Sequence, residues 1–201
     1  MTTLEIQTYT VDNTNVYRAE LMEEQSIPTA FAKIKAPSRR RETATVDAII
    51  KQVFGETAFI DHAPDGSPRL KGVENPPFIS VSHSGRFAVI ATNQDTPIGI
   101  DIEHWRNSLM KIASRFLTAE QSSIYNSSRR LLSAWAMKEA IFKVANTIPG
   151  RTLIDMPLPI SFESAEVIVD NNTIRLILLE SSPETCLALA IRKNSVCVKS
   201  C

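Results

Sequence analysis

The chain carries no excess of either charge: 22 Lys and Arg balance 22 Asp and Glu over 201 residues. No whole-molecule field draws it to nucleic acid or to an anionic membrane, and any anion binding must come from a local patch. Long hydrophobic runs are missing too. With no stretch of 18 or more apolar residues, no transmembrane helix is expected. MTTLEIQTYT lacks a basic start followed by an apolar core, so no signal peptide is expected. Cysteine is scarce: Cys186, Cys197 and Cys201 are odd in number, gathered late, and without CxxC or Cys/His ligand spacing. They read neither as a disulfide framework nor as a zinc site, and a reducing cytoplasm fits best. No short-period repeat and no low-complexity tract is present.

What is there is an ordinary globular composition, 43% hydrophobic and 22% charged, on a chain long enough for one sizeable core or two small ones in close contact. LEIQTYTV suggests a strand. Pro37 and Ser38 suit a helix start and Gly55 a stop, which predicts a helix over about residues 39 to 54. DHAPDGSPRL reads as a turn-rich loop. PPFISVSHSGRFAVIATNQDTPIGIDIE reads as three strands joined at Ser84-Gly85 and at NQDTP. LTAEQ carries a Thr118-to-Gln121 capping box. SSRRLLSAWAMKEAIFKVAN, rich in helix formers and free of Gly and Pro, predicts a long helix. NTIPGRTLIDMPLPI, with three prolines, is an irregular connector, and antiparallel strands follow it, the first two joined at Asn171-Asn172. The order is α+β without βαβ alternation. NQDTP marks a soft boundary that divides residues 1–96 from residues 97–201.

The long helix is apolar nearly all round, yet Lys138, Glu139 and Lys143 fall inside its second apolar arc. Charges so placed pair with one another, coordinate an ion or face a charged ligand; an exposed Glu139–Lys143 pair at i,i+4 is the plainer alternative. In PIGIDIE, Asp101 and Glu103 share one strand face and Gly99 clears space beside them. Two carboxylates about 7 Å apart suit magnesium, with Glu139 as a third, or belong to a solvated strand face. SVSHSGR puts Ser82, His83 and Ser84 at a hairpin mouth, where they can wrap a phosphate oxygen or do nothing. SRRR places Arg39, Arg40 and Arg41 at a helix N-terminus, against the dipole, where a phosphate is welcome. The alternatives there are a solvated basic start or a nucleic-acid patch, and no interleaved aromatics or net basic charge support the latter. Together these features describe a site for a ligand with several phosphates and a reaction of the phosphoryl or phosphodiester transfer class.

FISVSHSGRFAVIA, PIGIDIE and WAMKEAIFK resemble the three signature blocks of the 4′-phosphopantetheinyl transferases, in the single-chain, surfactin-synthetase-activating form. SRRRE and GSPRL sit where that family has its arginine-rich helix and Gly-x-Pro segment. The likeness covers roughly residues 38 to 145. It implies transfer of the phosphopantetheine arm of coenzyme A to a serine of an apo acyl- or peptidyl-carrier protein, with release of adenosine 3′,5′-bisphosphate. It also implies a pseudo-dimer of two similar α+β halves with antiparallel sheets and a long helix in each, the site in the cleft between them.

By position, the resemblance makes Asp101, Glu103 and Glu139 ligands of magnesium and Glu139 the general base. Lys143 would neutralise charge developing on the phosphates and Lys138 would assist. His83 and Ser82 would touch the phosphates, and Arg39, Arg40 and Arg41 the 3′-phosphate. The expected protein is a cytoplasmic monomer that binds neither nucleic acid nor membrane. Departures from the family pattern are Thr43 in place of an aromatic after Glu42, Asp47 in place of an Arg, Ala136 in place of Ser, and a single Gly in ANTIPGR. The change at Asp47 keeps a coenzyme A or phosphate-ligand binding module of weakened catalysis as the alternative.

Overall fold

The computed structural model describes residues 3–145, 150–159 and 165–193. Cys197, Cys201 and the NTIP part of the connector lie outside the described residues. The chain divides into two compact units, Met1–Asp95 and Thr96–Cys201. Each is an α+β unit with a four-stranded antiparallel sheet and one 18-residue helix.

In the N-terminal unit, β1 (Gln7–Val11), β2 (Thr14–Glu20), β5 (Phe78–Ser84) and β6 (Phe87–Asn93) form a sheet in the order β1-β2-β6-β5. Asp12 and Asn13 both take positive φ, the conformation a two-residue hairpin turn requires, and so close β1 onto β2. Helix α1 (Pro37–Phe54) packs on β2 and β6 through Ile49 and Ile50, with Ala19, Ala88 and Ile90 on the sheet side. Pro37 sits in its first turn, where a missing N–H costs nothing. The predicted loop DHAPDGSPRL instead contains most of a hairpin, β3 (Phe59–His62) with β4 (Pro68–Lys71). Its turn residues were legible, but the short flanking strands carry too little alternation to show in the sequence.

In the C-terminal unit, β7 (Ile98–His104), β8 (Ala165–Val169), β9 (Asn172–Ser181) and β10 (Thr185–Arg192) form a sheet in the order β7-β10-β9-β8. The β8–β9 turn falls at Asp170-Asn171, both at positive φ, one residue before the expected position. Short helices α2 (Ser108–Ile112) and α3 (Ala119–Ile124) precede the long α4 (Ser128–Ala145), and the capping box of α3 closes in both directions between Thr118 and Gln121. Helix α4 packs on β7 and β10. The register explains how closely it can do so. Gly99, Asp101 and Glu103 of β7 stand opposite Ala190, Ala188 and Cys186 of β10, so the sheet face toward α4 carries small side chains around two carboxylates. A Cβ on Gly99 would sit 2.1 Å from the carbonyl oxygen of Ala140. Glycine here is a condition for the helix to lie on the strand, beyond the space it leaves beside the carboxylates.

Candidate active site

The charged arc of α4 faces the carboxylates of β7. Asp101, nearly buried, accepts a hydrogen bond from Lys143 Nζ at 2.9 Å, and the same ammonium donates to the Ile100 carbonyl at 2.8 Å. Glu103 is held at both oxygens: Trp135 Nε1 donates to Oε1 at 2.8 Å and Arg106 Nη1 to Oε2 at 2.6 Å. Glu139, half-buried, has its carboxyl raised above the usual range. Burial is the main cause, the Asp101 carboxylate adds to it, Lys143 opposes it, Glu103 raises it further and Arg106 offsets part. Strand and helix thus bring three carboxylates and one lysine into a single electrostatic neighbourhood. Among the described residues, no three carboxylate, imidazole or thiol groups are already arranged as a metal cage. Lys143 on Asp101 and Arg106 on Glu103 stand among the three.

Lys138 departs from its expected place. Its side chain is fully buried, and Nζ donates to the carbonyls of Leu153 (2.9 Å), Ile154 (3.3 Å) and Met156 (2.6 Å). Burial depresses its pKa to about 8, with Asp155 pulling the other way. The ammonium ties α4 to the connector and is not turned to a ligand. At 100° per residue, Lys138 and Lys143 differ by about 140° around the helix, and a helix buried on most sides sends them to different partners. Tyr125 pins the same connector, donating from its hydroxyl to the carbonyl of Pro159. Burial pushes the Cys186 thiol up to about 12, which leaves an inert core sulfur.

The N-terminal unit holds a cavity of ≈ 930 Å³ lined by Arg39, Glu42, Asp47, Phe59, His62 and His83 among others. Of the three arginines only Arg39 lines it. Arg40 donates to the Ile34 carbonyl and pairs with Glu24; Arg41 donates from Nε to Met22 O at 2.7 Å and from Nη2 to Leu21 O at 3.3 Å. Positive charge at the start of α1 is therefore largely satisfied by carbonyls of the preceding chain. Strand alternation separates the expected hydroxyl and imidazole pair: Val81 and His83 line the cavity, whereas Ser82 is buried on the other face of β5. His83 Nδ1 lies 3.4 Å from Glu42 Oε2. Asp47, the acidic departure from the family pattern, lines the cavity and accepts from Lys51 at 2.7 Å.

Sequence reasoning passed over Arg106 and Trp135. An Arg three residues after a strand carboxylate is one signal that could have found the first. For the second, the signal is an indole N–H on a buried helix, which needs an acceptor. Among the described residues, no helix is long and apolar enough to cross a membrane. No curated protein matches the chain. The family model of the 4′-phosphopantetheinyl transferase superfamily matches residues 97–198. That span is just over half of the 201 residues and contains β7, α4 and the carboxylate–lysine cluster between them. The chain belongs to the 4′-phosphopantetheinyl transferase superfamily.

Proposed function

We propose that the protein transfers the 4′-phosphopantetheine group of coenzyme A to a serine of an apo carrier protein in a magnesium-dependent reaction. The carrier oxygen forms a bond to the β-phosphorus of coenzyme A, the pyrophosphate P–O bond breaks, and adenosine 3′,5′-bisphosphate leaves. What supports this reading is that Asp101 and Glu103 share the face of β7 that packs on α4, the helix that carries Glu139. Three hard oxygen donors that repel one another are suited to a divalent cation. Magnesium takes only one or two carboxylates and leaves its other positions to water and phosphate, so a finished three-carboxylate cage is not required. Asp101, Glu103 and Glu139 would hold it; when bound, it supplies charge stabilisation at the pyrophosphate.

Glu139 accepts the proton of the serine hydroxyl, directly or through a water. Lys143, already on the rim of this cluster, offsets negative charge growing on the leaving phosphate. Lys138 holds the connector in place behind the helix. Arg39 and His83 offer the cavity of the N-terminal unit to the phosphorylated nucleotide end of coenzyme A.

The test is to incubate the protein with coenzyme A, magnesium and apo carriers from fatty acid, polyketide and peptide synthesis, and to weigh the carriers. A mass gain of one phosphopantetheine is expected; none on any carrier defeats the reading. A second reading, coenzyme A binding without transfer, draws on Asp47 in the cavity wall. Tight binding by calorimetry with no carrier adduct would favour it.

A further inference from the structure

Glu103 is a flexible carboxylate on a strand, yet both of its oxygens have fixed partners. The Trp135 indole N–H donates to Oε1 at 2.8 Å, and Arg106 donates to Oε2 at 2.6 Å. The indole is itself held: Phe116 meets it edge-on with centroids 4.9 Å apart at 86°, and the Arg106 guanidinium lies 5.6 Å from its ring centre. Phe116 is 1% exposed, so this edge contact is part of the core of the C-terminal unit. Glu103 therefore takes its orientation from a rigid aromatic anchored on α4, the helix that also carries Glu139.

We propose that Trp135 is a positioning residue for cation binding, acting through Glu103. Its N–H fixes the rotamer of Glu103 so that the remaining lone pairs of the carboxylate face the same space as Asp101 and Glu139. This rests on the metal-ligand reading of those three residues given above. Partners that orient a liganding carboxylate typically matter about 10- to 100-fold in metal affinity, and the effect should disappear when the carboxylate is removed.

The test uses Mn²⁺ alone, and Mn²⁺ with coenzyme A, titrated into the full chain without carrier, free Mn²⁺ being read by electron paramagnetic resonance. Trp135→Phe keeps a ring against Phe116 but removes the N–H donor together with part of the indole's bulk. It is expected to weaken Mn²⁺ binding about tenfold or more. In a Glu103→Ala background the same substitution is expected to change nothing further, whereas a merely structural role would lower affinity equally in both backgrounds. Unchanged affinity in Trp135→Phe, or an equal loss in both backgrounds, overturns the proposal. Failure of the wild-type chain to bind Mn²⁺ under either condition is a different result, and it overturns the metal reading itself together with this inference. Should Trp135→Phe not fold, the indole N–H resonance of Trp135 in the wild-type chain replaces it. That resonance is expected to shift on adding Mg²⁺ and to stay still in Glu103→Ala; no shift in wild type counts against the proposal.

Discussion

Helices α1 and α4 have the same length, the same kind of partner in a four-stranded antiparallel sheet, and arginines at their start, but only α4 sets a cluster of charges against its sheet. Helix α1 buries four residues, Ala44, Thr45, Ile49 and Ile50, and keeps its arginines at an open N-terminus. Helix α4 also opens on two exposed arginines, Arg129 and Arg130, but it buries ten residues, Lys138 among them, and carries Glu139 and Lys143 along its packed side. At an exposed end, a cation can reach back to nearby carbonyls, as Arg40 and Arg41 do, and little follows for function. In a buried middle, a charge must have a defined partner or pay heavily in desolvation. Lys143 and Glu139 face the carboxylates of β7, and Lys138 faces the connector carbonyls. A charge motif thus reports a site more strongly on α4 than on α1.

The sharpest way to break this contrast is Glu139→Gln. Transfer is expected to fall by about 10³-fold, measured as carrier mass gain over time, while the melting temperature holds or rises because a carboxylate disfavoured by burial has been neutralised. Full activity would remove Glu139 from the reaction. Gly99→Ala comes next. Its new methyl would collide with the backbone of Ala140, and moving helix from strand is expected to cost about 3 kcal/mol. Chemical denaturation checks the loss, and transfer per folded molecule should drop with it because Asp101 and Glu139 are pushed apart.

The two lysines of α4 sharpen the comparison inside one helix. Lys138→Met strands three carbonyls and is expected to cost about 2 kcal/mol of stability, with coenzyme A affinity kept. Lys143→Met takes the ammonium from the nearly buried Asp101 carboxylate and is expected to cost about 2 kcal/mol, and, unlike Lys138→Met, also to reduce transfer per folded molecule by about 100-fold. The pH dependence of unfolding separates their neighbours too. Lys138 titrates near 8 when folded against 10.5 when unfolded, so between those values the unfolded chain binds more protons and stability rises with pH. Glu139 is raised on folding, so stability falls as pH rises from the ordinary carboxylate range through its folded value. Each slope should vanish in its own variant, Lys138→Met or Glu139→Gln, and persist in the other.

Much of this was legible in the residues. The alternation of PIGIDIE put Asp101 and Glu103 on one face, and the structure turns that face to α4. The helix from residue 128 to 145 and the capping box at Thr118 followed from local rules. Local rules did not reach Lys138, since a helical wheel gives a direction but not what packs there. They also passed over β3 and β4, strands of four residues with turn chemistry between them. The hairpin mouth at Ser82 to Ser84 is not a loop: β5 runs on to Ser84, so alternation sends Ser82 and His83 to opposite faces.

The smallest expected effects lie at the start of α1, where three adjacent arginines look interchangeable in sequence. Arg39 is exposed and lines the cavity, so Arg39→Ala is expected to weaken coenzyme A binding about tenfold, the scale of one charge-assisted contact, with no change in melting. Arg41 holds the carbonyls of Leu21 and Met22, so Arg41→Ala is expected to cost about 1 kcal/mol of stability with affinity kept once the folded fraction is accounted for. Calorimetric titration and a melt on the same two samples decide the matter. If both variants lost affinity equally, the 3′-phosphate would be reached by the whole cluster. The carbonyl contacts of Arg41 would then have to open when the ligand arrives, and α1 would hold its charges as adaptably as α4 holds them fixed.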